Sequence, residues 1–217
     1  PDPYDVYARM RAITDGHADR VIANLLVADR GRHDHAVGLA VPLMRRRLQD
    51  MAEWAEIGLH PSYRTLRSTD RIAAEKQRLE DALGRPVTCA RQHFLRRSAG
   101  TDRALLASGI KEEHSRGLAD AIGFRCGTCT PFRWFDKERG EETGLEIWPF
   151  QVMDSAMAYK MRLDPEEAIL RATEMVEKVR AVRGTFVGVW HERFLSDHGQ
   201  EKGWGQVAPA IIKNARP

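Results

Sequence analysis

Short apolar runs alternate with helical patterns along most of the chain. Residues 21–28, VIANLLVA, have the length of a buried strand, and residues 41–55, VPLMRRRLQDMAEWA, repeat apolar positions at helical spacing. The same order returns in residues 56–62, EIGLHPS, and the helical pattern of residues 68–84. Parallel strands need a crossover connection, which is usually a helix. The repeated strand–helix order therefore predicts an α/β fold with a parallel sheet.

End signals support two of the predicted helices. Ser68 or Thr69 can cap the helix over residues 68–84, and Gly84 suits its end. The clearest helix covers residues 164–182, with Asp164 at the N-cap and Pro165 at the first helical position. Polar side chains that accept the first backbone N–H groups favour a helix start at these positions.

The rest of the chain contains weaker patterns. Residues 110–143 are polar and glycine-rich, which favours a loop with one short strand near 111–117. The other predicted elements are helices at the N-terminus and at 100–109, strands at 86–94, 145–154 and 184–193, and a last helix interrupted by Pro209.

Composition narrows the class of protein. The chain has 217 residues of which 42% are hydrophobic, enough for one domain over residues 1–217. Its 34 basic and 31 acidic residues are interspersed, so no nucleic acid partner is expected. No apolar run has the length of a membrane span, and three cysteines favour a reducing, cytoplasmic location. The oligomeric state is left open.

Three histidines follow predicted strands: His60 after EIGL, His93 after TCARQ and His191 after TFVGVW. The carboxyl ends of parallel strands meet at one edge of a sheet or barrel, so these imidazoles are expected to converge. Imidazole nitrogen suits zinc, and a hydrolytic zinc site commonly adds a carboxylate and an open position for water. A single strand-end histidine can also be only a hydrogen-bonded residue at the rim.

A second histidine cluster lies in residues 31–38, GRHDHAVG. On an extended segment His33 and His35 share one face and Asp34 points to the other. The cluster is either an exposed polar loop or a ligand set, and the second reading would fit an unrelated barrel metallohydrolase.

Five blocks of sequence resemble the bacterial branch of the polysaccharide deacetylases, the NodB-like carbohydrate esterases. They are EIGLHPSYRT, EKQRLEDALGRPVTCARQHFLR, GLADAIGFRCGTCTPF, LEIWPFQVMD and GTFVGVWHE, and their order is kept over roughly residues 3–205. The resemblance implies a distorted (β/α)7 NodB-like barrel. It also implies metal-dependent removal of an N-acetyl or O-acetyl group from a bacterial surface glycan or its precursor.

The resemblance assigns roles to several residues. Members of the family hold a divalent ion, often zinc, with one Asp and two His. His60 corresponds to the first of these histidines and His191 to the catalytic acid of the last strand. Arg64 replaces the usual second metal histidine, so His93 is expected to be the second ligand, while Arg91 would orient the catalytic carboxylate.

Other roles are implied less directly. Asp120 or Asp154 would hold the second ring nitrogen of His191, and Asp120 is included among the catalytic residues. Three residues are expected to contact the acetylated glycan, namely Arg125, Trp190 and Tyr63.

The start of the chain departs from the pattern of the family. The resemblance places an aspartate-bearing strand before the segment PDPYD, so the chain is expected to lack that N-terminal strand, the catalytic base and the carboxylate ligand. The alternative function is then a catalytically silent carbohydrate-binding protein on the same scaffold. The sequence identifies neither the sugar nor the metal.

Overall fold

The structure is a computed structural model that describes residues 2–66 and 68–216. It divides into two compact units. Of the described residues, the sheet unit contains 20–66, 68–115 and 132–148, and the helix-rich unit contains 2–19, 116–131 and 149–216. The single domain over residues 1–217 stays a prediction.

Within the described residues, six strands of the sheet unit form one sheet in the order β1-β2-β3-β4-β6-β5. Every neighbouring pair is parallel except β5 and β6, which are antiparallel. The strands are β1 Ile22–Leu25, β2 Glu56–Leu59, β3 Cys89–Ala90, β4 Glu112–Glu113, β5 Phe132–Asp136 and β6 Glu141–Ile147. The predicted α/β fold with a mainly parallel sheet is confirmed.

Three helices of the sheet unit connect the parallel strands: α2 Pro42–Met51, α3 Thr69–Leu83 and α4 Thr101–Ala107. Pro42 opens α2, and the Ser68 hydroxyl accepts the Arg71 N–H at 3.3 Å to cap α3. Gly84 ends α3 with φ of 75°, a left-handed conformation that glycine adopts at little cost. The end signals in the sequence therefore predicted these helices correctly.

The β5–β6 hairpin corrects the prediction of a loop with only a short strand over residues 110–143. β5 lies at the edge of the sheet with most of its side chains exposed. Three of its five residues are aromatic, but the charged residues 137–139 that follow it favoured a loop. Buried Asp136 fixes the turn by accepting two Arg103 N–H groups at 2.6 Å and the Glu138 N–H at 3.0 Å. These contacts, Arg103 first, hold the pKa of Asp136 well below its usual range.

The helix-rich unit contains two short parallel strands, β7 Val152–Met153 and β8 Gly188–Val189. Its α-helices are α1 Tyr7–Thr14, α5 Pro165–Ala181, α6 Glu192–Ser196 and α7 Val207–Asn214, and a π-helical turn covers Ala156–Lys160. Asp164 caps α5 by accepting the Glu167 N–H at 2.8 Å, as predicted. The apolar core of this unit contains Val152, Met157, Ala168, Ala172, Met175, Val176, Phe194, Trp204, Val207 and Ile211.

Two predicted elements of this region are wrong in detail. The strand expected over residues 145–154 is two strands: β6 ends at Ile147, and β7 begins after a break that contains Pro149. Proline lacks the N–H that a continuous ladder needs. Pro209 does not interrupt the last helix, because it lies in the first turn of α7, where backbone N–H groups have no partner within the helix.

The described residues contain no helix with the length and apolar character that crossing a membrane requires.

Candidate functional site

In the sheet unit, His60 and His93 come together beyond the carboxyl ends of β2 and β3. The His60 N–H extends the ladder by donating to the Leu25 carbonyl at 2.8 Å, and the His93 N–H donates to the Pro61 carbonyl at 3.1 Å. The centroids of the two imidazole rings lie 4.9 Å apart. The predicted meeting of these two histidines is confirmed.

A buried carboxylate completes this group. Asp34 is only 1% exposed, and its Oδ1 lies 3.0 Å from His93 Nδ1. The same oxygen accepts the Tyr63 N–H at 2.8 Å. The Gly31 N–H donates to the Asp34 carbonyl at 2.8 Å, which closes the loop after β1 around this side chain. We call Asp34, His60 and His93 the Asp–His–His cluster.

The cluster places a carboxylate beside two of the predicted histidines. That the chain lacks the aspartate-bearing N-terminal strand, the base and the carboxylate ligand stays a prediction. β1 pairs in parallel with β2, so the loop that follows β1 passes the carboxyl end of β2. Of the segment RHDH, it is Asp34 that faces His93, whereas the His33 ring packs 4.2 Å from the Tyr63 ring and His35 is exposed. An aspartate in the loop after β1 is a weak signal, because Asp29 of the same loop lies nearer to the strand and is exposed.

His60 is held by the backbone of the neighbouring strand. Its Nδ1 lies against the carbonyl oxygen of Arg91, which fixes the orientation of the ring. An acceptor at Nδ1 directs a metal or substrate to Nε2. Arg91 thus contributes its carbonyl to the cluster, and the predicted role of its side chain stays a prediction.

The donor types of the cluster suit a divalent ion such as zinc. In residues 2–66 and 68–216, however, no three His, Cys, Asp or Glu side chains are arranged to hold an ion together. His93 and Asp34 are hydrogen-bonded to each other instead. The residue types are therefore those of a metal site, but their side chains as arranged in the structure do not form one.

In the helix-rich unit, Asp154 and His191 form a buried carboxylate–imidazole pair. β7 and β8 are parallel neighbours, so the residues after them lie side by side. Asp154 is fully buried, and its Oδ1 lies 2.6 Å from His191 Nδ1 and accepts the Ser155 N–H at 2.6 Å. Its Oδ2 accepts the backbone N–H of His191 at 2.5 Å. We call Asp154 and His191 the Asp–His pair.

The Asp–His pair settles which carboxylate holds the ring of His191. Of the two candidates left open, Asp154 occupies Nδ1, whereas Asp120, which is included among the catalytic residues, lies exposed in the segment after β4 and does not hold this ring. The distinguishing signal was available: Asp154 directly follows a strand, and Asp120 does not.

The predicted substrate residues are placed as follows. Trp190 packs against the apolar core of the helix-rich unit, and Arg125 of the same unit is exposed. Tyr63 belongs to the sheet unit, beside Asp34. That all three bind substrate, and that His191 joins His60 and His93 in one site, stay predictions.

Comparisons with known proteins give a structural match. No family model and no curated protein matches the chain. A proposed polysaccharide deacetylase from Mycobacterium smegmatis has a similar structure, with a TM-score of 0.62 and 13% sequence identity over 95% of this chain and 71% of its own. A second, from Bordetella bronchiseptica and involved in O-antigen biosynthesis, has a TM-score of 0.46 and 14% identity over 73% of this chain and 57% of its own.

The similarity to the Mycobacterium smegmatis protein shows that the two chains share a fold. The similarity to the Bordetella bronchiseptica protein is too low to support a conclusion. At the level of the fold, the comparison confirms the resemblance to the polysaccharide deacetylase family that the sequence motifs gave.

Proposed function

We propose that the protein is a hydrolase that removes an N-acetyl or O-acetyl group from a bacterial surface glycan or its precursor. The proposal includes the distorted (β/α)7 barrel that the resemblance implies. The shared fold supports it. The observation that carries it is the Asp–His–His cluster, in which the buried Asp34 carboxylate of the loop after β1 lies 3.0 Å from an imidazole 59 residues away, beyond the end of β3.

We include a divalent metal ion, with zinc as first choice, in this proposal. Asp34, His60 and His93 would hold it, since their donor types match those of hydrolytic zinc sites. When bound, such an ion polarises a carbonyl group and makes a water molecule more acidic. His93 and Asp34 would exchange their mutual hydrogen bond for this role.

The Asp–His pair provides the groups for protonating the leaving atom. Amide and ester cleavage both need a proton on the departing nitrogen or oxygen. Asp154 holds Nδ1 of His191, which leaves Nε2 as the nitrogen that exchanges the proton. The buried carboxylate also compensates the positive charge that the ring carries while it is protonated.

Asp34→Asn tests the cluster. The substitution keeps the size of the side chain and removes its charge, so we expect loss of bound zinc and at least a tenfold fall in acetate release. Metal content is measured on purified protein, and acetate release is measured on acetylated glycans. Asp29→Asn, an exposed residue of the same loop, is the matched control and should behave like the wild type.

The outcomes separate the parts of the proposal. Metal-stripped protein that releases acetate at the full rate contradicts the metal. Wild-type protein that releases no acetate from any acetylated glycan contradicts the deacetylase. Glycan binding without turnover would then support the carbohydrate-binding alternative.

A further inference from the structure

The turn after β3 contains two consecutive residues in a backbone conformation that non-glycine residues seldom adopt. Phe94 has φ of 56° and ψ of 20°, and Leu95 has φ of 53°. A bulky residue at positive φ is strained, and such strain persists where the surroundings require the conformation. The strained turn directly follows His93 of the Asp–His–His cluster.

The consequence of this turn is an exposed aromatic ring beside the cluster. The Phe94 side chain is 61% exposed. Its ring centroid lies 4.5 Å from that of His93, 5.8 Å from that of Tyr63 and 6.0 Å from that of His33. An apolar ring with this exposure gains little free energy from burial, so packing of the Phe94 ring does not offset the strain of the turn.

Tyr63 and His33 support the Phe94 ring from the side, since their ring planes lie at 90° and 83° to it. Their ring centroids lie 4.2 Å apart, and both rings contact Phe94. Arg96 restrains Tyr63, because its guanidinium lies 3.6 Å from the ring centroid and its Nη1 donates to the Tyr63 carbonyl at 2.8 Å. We call His33, Tyr63 and Phe94 the three-ring patch.

We propose that the exposed Phe94 ring, held by the other two rings of the three-ring patch, packs against the apolar face of a sugar ring of the glycan, next to the Asp–His–His cluster. This inference rests on the proposed function and adds the residues that recognise the substrate. The C–H groups on one face of a pyranose ring pack against aromatic rings, while its hydroxyl groups point outward to polar neighbours. His33 and Arg96 provide such neighbours at the edge of the patch.

The size of the patch favours a sugar over a protein partner. A stable protein interface needs about 800 Å² from each partner. A whole aromatic side chain has only about 150–250 Å², so the exposed Phe94 ring offers far less than this.

Binding measurements test the patch on the full chain. Isothermal titration calorimetry with soluble N-acetylglucosamine oligosaccharides, O-acetylated xylan oligosaccharides and their deacetylated forms gives dissociation constants for each variant. We expect Phe94→Ala to weaken binding about five- to tenfold, since aromatic contacts of this kind are worth that much. Phe94→Tyr keeps the ring and should bind like the wild type.

Phe135→Ala is the matched control. Phe135 is 52% exposed, lies on β5 of the same unit and is not part of the cluster or the patch. It should leave binding unchanged. The melting temperature of each variant provides a readout of a purely structural role, and the binding loss of Phe94→Ala should occur without a comparable loss of melting temperature.

Each result decides a different proposal. Equal affinity of Phe94→Ala and the wild type overturns the patch, and so does a wild-type protein that binds none of these sugars. Binding that depends on Phe94 without any acetate release supports the patch and contradicts only the deacetylase.

Discussion

Asp154→Asn is the sharpest test of the Asp–His pair, because it changes one oxygen to an NH2 group and keeps the shape. Asp154 accepts three N–H groups: that of Ser155, the backbone N–H of His191 and the Nδ1–H of His191. An asparagine has one acceptor oxygen for these donors. At least one donor must then face the NH2 group, at a cost of roughly 1.5–3 kcal/mol for a lost hydrogen bond to a charged group.

The protonated form of His191 is affected most. It donates from Nδ1, and the residue opposite no longer carries the negative charge that compensates the ring. General acid catalysis typically accelerates a reaction by a factor of about 10²–10⁴. We therefore expect kcat to fall by about 10²–10³, equivalent to roughly 3–4 kcal/mol in the barrier. KM should change little, since the pair contributes a proton rather than a binding surface.

The assay is the initial rate of acetate release at saturating acetylated glycan, with circular dichroism to show that the variant folds. Asp120→Asn, measured in parallel, distinguishes the two carboxylates that the sequence left open. A kcat within threefold of the wild type for folded Asp154→Asn would refute the reasoning. Loss of activity in Asp120→Asn alone would restore the rejected assignment.

Three further predictions concern stability and are measured by urea denaturation. Burial raises the pKa of Glu75, whose carboxylate accepts the Ser62 N–H at 2.9 Å. The Glu75 carboxyl therefore binds its proton more tightly in the native state than in the unfolded chain. It stabilises the native state at acidic pH, and this stabilisation is lost as the pH rises through the native pKa. Glu75→Gln should therefore gain stability relative to the wild type as the pH rises from the ordinary glutamate pKa of about 4.3 towards the raised native pKa, and a difference that does not change with pH would contradict this. Gly117→Ala should destabilise by roughly 1–3 kcal/mol or more, since its Cβ would lie 2.2 Å from the ring of buried Phe150; a neutral effect would show that the ring moves. Phe94→Gly should be more stable than Phe94→Ala by about 1 kcal/mol, because only glycine adopts φ of 56° without strain, and the reverse order would exclude strain at this turn.

Local patterns in the sequence determined the parallel strands and the helices between them. Ser68, Gly84 and Asp164 were correctly expected at helix ends, because capping depends on residues within one turn. The histidines after β2 and β8 were found by the same kind of reasoning, since parallel strands direct their carboxyl ends to one side.

The tertiary structure decided what the local pattern could not. The edge strand β5 is aromatic at three of its five positions, yet the charged segment after it favoured a loop. Its pairing with β6 and the contact between Arg103 and Asp136, which is distant in sequence, hold it as a strand. The sequence left open whether Asp34 belongs to an exposed loop or to a ligand set, and the pairing of β1 with β2 brings it to His93. Such contacts join positions tens of residues apart, and the sequence of one chain records which residues are present but not which distant ones meet. The side chains that could perform chemistry were therefore visible in the sequence, while their partners were fixed only by the packing of strands against one another.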